Sequence, residues 1–230
     1  MRHRWTYGCL FYQPEILRYL EVVGLVGAAP ITLTPYLEVT EQDREEADRV
    51  LPPGDLPLVI LNPGSGSPRR RWPAEKFAAG GNTLAWSGAE VAVIGIPEEA
   101  GLARDVVNGM AAPVHNLCGK TSLGGLAGLL SRAAVVVSND SGPLHLAQAV
   151  GAPTVGIYWC GNLIIAGPVS RSNHRPAISW QLDCPVCGLD CTQNECGHQV
   201  SFVAGVSQEE VIASAISLLE LSHVHQPLAR

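Results

Sequence analysis

The chain has 230 residues, 47% of them apolar and 16% charged, a balance that supports one large α/β domain with a real core and excludes widespread disorder. Its 15 Lys and Arg against 21 Asp and Glu give a formal net charge of −6. There is therefore no general drive toward nucleic acid or anionic lipid, and any anion site has to be built locally.

Met1-Arg2-His3-Arg4 is not followed by the apolar run and small-residue cleavage site of a secretory signal. Glu15 to Val26 reads as an apolar helical stretch. The uncharged segment Val22 to Leu37 is broken by Pro30 and Pro35 and is shorter than the ~20 residues a membrane span needs, so no transmembrane segment is expected. The expected location is cytoplasmic, with a peripheral position on the inner membrane allowed. Thr40 followed by Asp43 can cap a helix running toward Leu51, whose acids, Asp43 and Glu46 among them, read as a solvated face. Residues 1–54 are expected to be lead-in helices from an interdomain region, because the breaker cluster Pro52-Pro53-Gly54-Asp55-Leu56-Pro57 marks a boundary.

From there apolar runs alternate with segments of helical length. Strands are expected at Leu58–Leu61, Val91–Ile94, Val114–Leu117, Val135–Ser138 and Thr154–Tyr158, and helices near 73–87, 99–110, 122–131 and 143–150. Apolar strands without polar alternation belong to a parallel sheet covered on both faces. The fold class is thus α/β, a Rossmann-like doubly wound parallel sheet over residues 55–222, closed by a helix from Ser207 to Leu221 and followed by a tail at 223–230. Ligands in such sheets bind at the carboxyl ends of the strands.

Two of those ends carry chemistry. After Ser138 the chain reads Asn139-Asp140-Ser141-Gly142-Pro143-Leu144-His145, a polar turn entering a helix with Pro at its start and Ser141 or Gly142 at the cap. Free amides and the helix dipole there suit a phosphate, with His145 on nearly the same face as Ser141. Asp140 would repel a diphosphate, so it is expected to tie down loop amides or accept from a ligand hydroxyl. The bland alternative is an ordinary helix cap with His145 satisfied in the core. After Leu61 comes Asn62-Pro63-Gly64-Ser65-Gly66-Ser67-Pro68-Arg69-Arg70-Arg71-Trp72-Pro73, where small residues admit close approach and guanidinium forks match diphosphate geometry. The alternative is a solvated turn, and Arg70 is expected to face solvent and add little to folding.

Of seven cysteines, Cys9, Cys118 and Cys160 sit in apolar segments and read as reduced core thiols. Cys184, Cys187, Cys191 and Cys196 fall within thirteen positions, with His198 behind them, in a Cys-rich loop at 184–198. They could hold Zn²⁺, but only one Cys-x₂-Cys knuckle is present; a structural zinc, reduced loop thiols and disulfide or redox chemistry all stay open, and no metal is counted among the expected site ligands.

Asn62-Pro63-Gly64-Ser65 with Arg70-Arg71-Trp72-Pro73, and Asp140-Ser141-Gly142-Pro143 with His145-Leu146-Ala147 and Gly151-Ala152-Pro153-Thr154-Val155, resemble glycosyltransferase family 9, which includes the lipopolysaccharide heptosyltransferases. The resemblance is strong over Leu58 to Tyr158 and fainter to Leu219. It implies the C-terminal, donor-binding domain of a GT-B glycosyltransferase, with ADP-heptose or a related nucleotide sugar as donor substrate and no cofactor required. It places Gly64, Ser65, Arg70, Asp140, Ser141, Gly142 and His145 at the diphosphate, with Arg70 and His145 stabilising the leaving group. Glu98 or Glu99 falls near the ribose or base, although both also suit an acidic first helical turn. The chain has no Asp-x-Asp metal clamp. A lipid-linked oligosaccharide acceptor is expected to be held, and its base supplied, by an N-terminal domain that is missing or separate; the alternative is a non-catalytic nucleotide or nucleotide-sugar-binding module or a truncated remnant.

Overall fold

The computed structural model describes residues 13–192 and 194–224, so Met1–Arg4, Cys9 and positions 225–230 of the expected tail lie outside the described residues. Two helices, α1 (Glu15–Gly24) and α2 (Glu41–Val50), precede six strands: β1 (Leu58–Asn62), β2 (Glu90–Val93), β3 (His115–Asn116), β4 (Val135–Asn139), β5 (Thr154–Trp159) and β6 (His174–Ser179). Between and after them run α3 (Ala74–Trp86), α4 (Ala100–Gly109), α5 (Leu123–Ser131), α6 (Gly142–Ala149), α7 (Cys160–Ala166) and α8 (Gln208–Val224). The strands form one sheet in the order β3-β2-β1-β4-β5-β6, with every pairing parallel.

All five expected strands are present within one residue of their expected ends; four of them are apolar runs between breakers, whereas β3 is the short polar pair His115–Asn116 flanked by Val114 and Leu117. Both faces are buried. Val59, Leu61, Val91, Val93, Val135, Val137, Val155 and Ile157 point to one side, where Phe77 and Leu84 of α3, Val106 of α4 and Val211, Ala215 and Leu218 of α8 cover them. Leu58, Ile60, Ala92, Ile94 and Val136 point to the other, against Ala47 of α2, Leu129 and Leu130 of α5 and Ala147 of α6. With side chains alternating across a strand, burial of both sets removes the polar alternation from the sequence.

The sequence carries no comparable signal for β6 and α7. β6 holds His174, Arg175 and Pro176 and lies at the sheet edge, where a missing proline N–H costs no ladder bond. The segment ahead of residue 55 is also more engaged than a solvated helix: Val39, Ala47 and Leu51 are buried, and α2 packs on α5. Thr40 and Asp43 form the expected reciprocal cap. Glu46 departs from the solvated-face expectation, since its carboxylate accepts the Ser122 N–H at 2.7 Å and the Ser122 hydroxyl at 2.6 Å at the start of α5.

Candidate functional site

The strand order reverses between β1 and β4, which opens a crevice at their carboxyl ends. Asn62 ends β1 opposite Ser138 of β4. Its Nδ2 donates to the Ser138 hydroxyl at 2.8 Å and to the Ser141 hydroxyl at 2.9 Å. Asn139, at the end of β4, reaches the other way: Oδ1 accepts the Trp72 backbone N–H at 3.0 Å and Nδ2 donates to the Pro63 carbonyl at 2.8 Å. Asn62 and Asn139 are fully buried, so irregular backbone that could not reach water is satisfied by side chains and the two loops are fixed to each other.

The resulting cleft has Gly64, Ser65 and Gly66 on one wall and Ser141, Gly142 and Pro143 on the other. Ile96 and Glu99 from the loop after β2, with Ser122 and Leu123 at the start of α5, complete it. Ser141 occupies the cap position of α6, but its hydroxyl accepts from Asn62 and donates to the Asn139 carbonyl instead of capping the helix. Pro143 has no N–H and the Leu144 N–H donates to the Ser141 carbonyl at 3.0 Å, which leaves the Gly142 amide at the mouth of α6 without a side-chain acceptor. Pro143 is the second helical residue rather than the first. Glu99 accepts the Ile96 N–H at 3.2 Å, and its carboxylate lies so close to Gly64 that a Cβ there would stand 2.2 Å from Oε2. Glu98 is exposed and is not among the residues lining the cleft.

The three arginines do different work. Ser67 caps the short 3-10 turn Pro68–Arg70 through the Arg69 N–H. Arg71 donates twice to the Ser65 carbonyl, at 3.1 and 2.9 Å, holding the small-residue loop. Arg69 points away, to the carbonyls of Cys196 (2.6 Å) and His198 (2.9 Å), with its guanidinium over the Phe202 ring. Arg70 alone turns to the site, where Nη1 donates to Asp140 Oδ2 at 3.1 Å.

Asp140 is 1% exposed and stands between Arg70 and His145, whose Nε2 lies 3.3 Å from Oδ1. Oδ1 has no well-aligned hydrogen bond, so the His145 contact is one of proximity. Burial alone would push the Asp140 carboxyl up, but the His145 and Arg70 contacts outweigh it and hold the group below its ordinary value. The expectation that Asp140 ties down loop amides is corrected here: its carboxylate goes to two basic side chains. Asn62 and Asn139 do the tying. His145 looks outward from Asp140 into a second groove, which it lines with Gln148, His174 and the end of α7. The fold therefore gathers Gly64, Ser65, Glu99, Ser141 and Gly142 in one cleft, and sets Arg70, Asp140 and His145 in a row beside it.

Cys118 and Cys160 carry free thiols that burial pushes up; Cys160 is a core thiol as expected, whereas Cys118 is only half-buried and donates to the Ile96 carbonyl at 3.1 Å. In the Cys-rich loop the four cysteines do not gather as a set. Cys184, Cys187 and Cys196 converge with His198, and Cys191 lies outside that group, its sulfur 3.9 Å from that of Cys196. The His198 backbone amide draws the Cys196 thiol down to about 7, with further help from the neighbouring thiols.

A family model described as glycosyltransferase family 9 (heptosyltransferase) matches residues 3–184. The chain is 29% identical over 148 residues to lipooligosaccharide heptosyltransferase 2 of Haemophilus influenzae, covering 60% of this chain and 42% of that protein. It is 28% identical over 175 residues to the lipopolysaccharide core heptosyltransferase OpsX of the same organism, covering 73% and 49%. The crystal structure of a family 9 glycosyltransferase from Veillonella parvula superposes with a TM-score of 0.73 at 26% identity, over 96% of this chain and 63% of that one. Escherichia coli ADP-heptose lps heptosyltransferase II shares the fold, with a TM-score of 0.67 at 20% identity over 85% of this chain and 56% of the other. The chain thus spans about half the length of these relatives. Among the described residues no helix is long and apolar enough to cross a membrane.

Proposed function

The chain belongs to glycosyltransferase family 9, and from that membership we propose that residues 55–222 form the donor-binding, C-terminal domain of a GT-B glycosyltransferase that transfers heptose from ADP-heptose, or a related sugar from a nucleotide diphosphate, to a lipopolysaccharide core acceptor. The observation that carries this reading is the cleft at the β1–β4 switch point, where a Gly-Ser-Gly loop and the N-terminus of α6 face each other beside Arg70. Family relatives named as heptosyltransferases support the donor class.

In this reading the diphosphate lies between Gly64–Ser65 and Ser141–Gly142, and the base and ribose extend toward Ile96 and Glu99. An acceptor hydroxyl attacks the anomeric carbon, the glycosidic oxygen takes the C–O bonding electrons, and ADP departs with inversion. Charge grows on the leaving diphosphate as that bond breaks. The Gly142 amide at the start of α6 and Arg70 are fixed in advance on the wall where that charge appears, and one such donor is worth ~3 to 4 kcal/mol of barrier in other enzymes. His145 adds a polar group beyond Asp140, at the neighbouring groove, and Asp140 keeps Arg70 and His145 in place. The acceptor and the general base belong to the acceptor side of the enzyme. Under this reading the reaction belongs in the cytoplasm, at the membrane surface presenting a lipid-linked acceptor.

Isothermal calorimetry with ADP tests the proposal. Binding that weakens as salt rises is expected, since the Arg70 and helix-dipole contacts are partly open to solvent. Folded protein that binds neither ADP nor UDP nor their sugars would refute it.

A further inference from the structure

We propose that Cys184, Cys187, Cys196 and His198 form a tetrahedral site for one thiophilic divalent metal ion of the zinc class, which clamps the 184–198 loop onto the arginine turn that carries Arg69 and Arg70. The four ligand atoms all lie within 4.8 Å of one another, and the Cys184 sulfur is 3.7 Å from His198 Nδ1. Zinc bound at ~2.3 Å by sulfur and ~2.0 Å by imidazole requires ligand separations near ~3.5 to 3.8 Å, so the observed cluster needs only a small contraction.

The backbone is already arranged for such an ion. Cys184-Pro185-Val186-Cys187-Gly188 forms a tight knuckle, closed by Gly188 N–H to the Cys184 carbonyl at 2.9 Å, with Gly188 at φ +70°, a conformation that side chains rarely adopt. The second pair comes from Cys196 and His198, two residues apart on either side of a bend at Gly197. That second pair is why counting cysteines alone finds only half of a zinc pattern.

Charge also balances. Three thiolates and a neutral imidazole around a divalent ion leave a net charge of −1, and binding releases three thiol protons to solvent. Arg69 supplies the compensating cation: its Nη2 lies 2.8 Å from the Cys196 sulfur and 2.6 Å from the Cys196 carbonyl, while Nε holds the His198 carbonyl at 2.9 Å. Cys191 is the excluded neighbour: its sulfur is 3.9 Å from that of Cys196, but it is not among the four converging residues.

The test uses the whole chain, purified without chelator under reducing conditions. Elemental analysis is expected to give about one zinc per chain as purified or after reconstitution, and replacement by Co²⁺ should give the intense visible absorption of tetrahedral thiolate-bound cobalt. Cys187→Ser and His198→Ala should lose the metal, whereas Cys191→Ser should keep it; Cys187 is exposed, so its substitution leaves the core intact. Chelation should make the 184–198 loop cleavable by protease. The proposal is overturned by a parent chain that stays metal-free after reconstitution, by the faint spectrum of octahedral cobalt, or by Cys191→Ser losing the metal as fully as Cys187→Ser.

Discussion

Asn139 Oδ1 accepts the backbone N–H of Trp72 at 3.0 Å, although the two residues are 67 positions apart in the chain. Trp72 is itself immobilised: its ring is buried edge-on to Phe77, and Nε1 donates to the Val206 carbonyl at 3.1 Å. The arginine turn immediately before Trp72 is thereby fixed relative to the end of β4. That fixed distance is what puts the Arg70 guanidinium against Asp140, the residue that follows Asn139.

Asn139→Ala should consequently be among the costly substitutions. It strands the Trp72 N–H and the Pro63 carbonyl in a dry interior, at ~1 to 3 kcal/mol for each unmet group. A loss of ~2 to 4 kcal/mol is expected from urea unfolding, together with weaker ADP binding. Asn139→Asp keeps the acceptor for Trp72 but loses the donor to Pro63 and sets a second carboxylate beside Asp140, so it should be no better at neutral pH. Stability within ~0.5 kcal/mol of the parent for Asn139→Ala would show that the loops are held by other contacts.

Arg70→Ala should weaken ADP binding by ~1 to 3 kcal/mol, the range for a charged hydrogen bond, and should also lower the melting temperature. The second effect departs from what a solvated arginine would do. Asp140 is 1% exposed and would keep only His145 as a partner. Breaking a fully buried pair costs ~3 to 5 kcal/mol, but Arg70 keeps 31% of its side chain exposed, so ~1 to 2 kcal/mol is expected here. A binding loss with unchanged melting would mean that Asp140 has no need of its arginine.

The Asp140 carboxyl is held below its ordinary value of 3.8. A depressed acid contributes stability that is complete above the unfolded value and is lost as pH falls through the folded one. Asp140 should therefore add no slope to stability between about pH 7 and 5. The gap between the parent and Asp140→Asn should be constant there and close as the pH is taken below 4. Urea midpoints measured from pH 7 to 3 check this, and two curves that stay parallel to the acid end would remove Asp140 as the titrating group.

The sheet was legible because its strands are apolar runs buried on both faces, and the cleft loops because glycine, serine and arginine cluster at two strand ends. The clamps between those loops were not. Asn62 and Asn139 sit where asparagine ordinarily marks a turn, and only the register of β1 against β4 shows that each reaches across to the neighbouring loop. The division of labour among Arg69, Arg70 and Arg71 was equally hidden, since Arg69 is drawn off by carbonyls 127 and 129 positions away. Glu46 looked like surface charge because its partner, Ser122, lies 76 positions later. In each case the deciding contact is long-range, and periodicity reports only local neighbours.

Gly64→Ala offers the sharpest test of where the nucleotide lies. The new methyl would stand 2.2 Å from Glu99 Oε2, too close to coexist, so the Glu99 side chain has to swing away from the Ile96 N–H it now holds at 3.2 Å. Glu99 is the far end of a flexible side chain on a surface turn, and the fold should lose less than ~1 kcal/mol. The cleft is affected more, because both the methyl and the displaced carboxylate crowd the wall assigned to the diphosphate and ribose. ADP affinity should fall about tenfold, or ~1.4 kcal/mol. Glu99→Ala alone should cost less if its carboxylate accepts only one ribose hydroxyl. In the double variant the methyl no longer displaces a carboxylate, so the two losses should fail to add, with a coupling of ~0.5 kcal/mol or more in the favourable direction. Strict additivity would mean that the methyl blocks the ligand by itself. Parent-like affinity for Gly64→Ala would move the nucleotide off this loop altogether, and with it the roles proposed for Ser65 and Glu99.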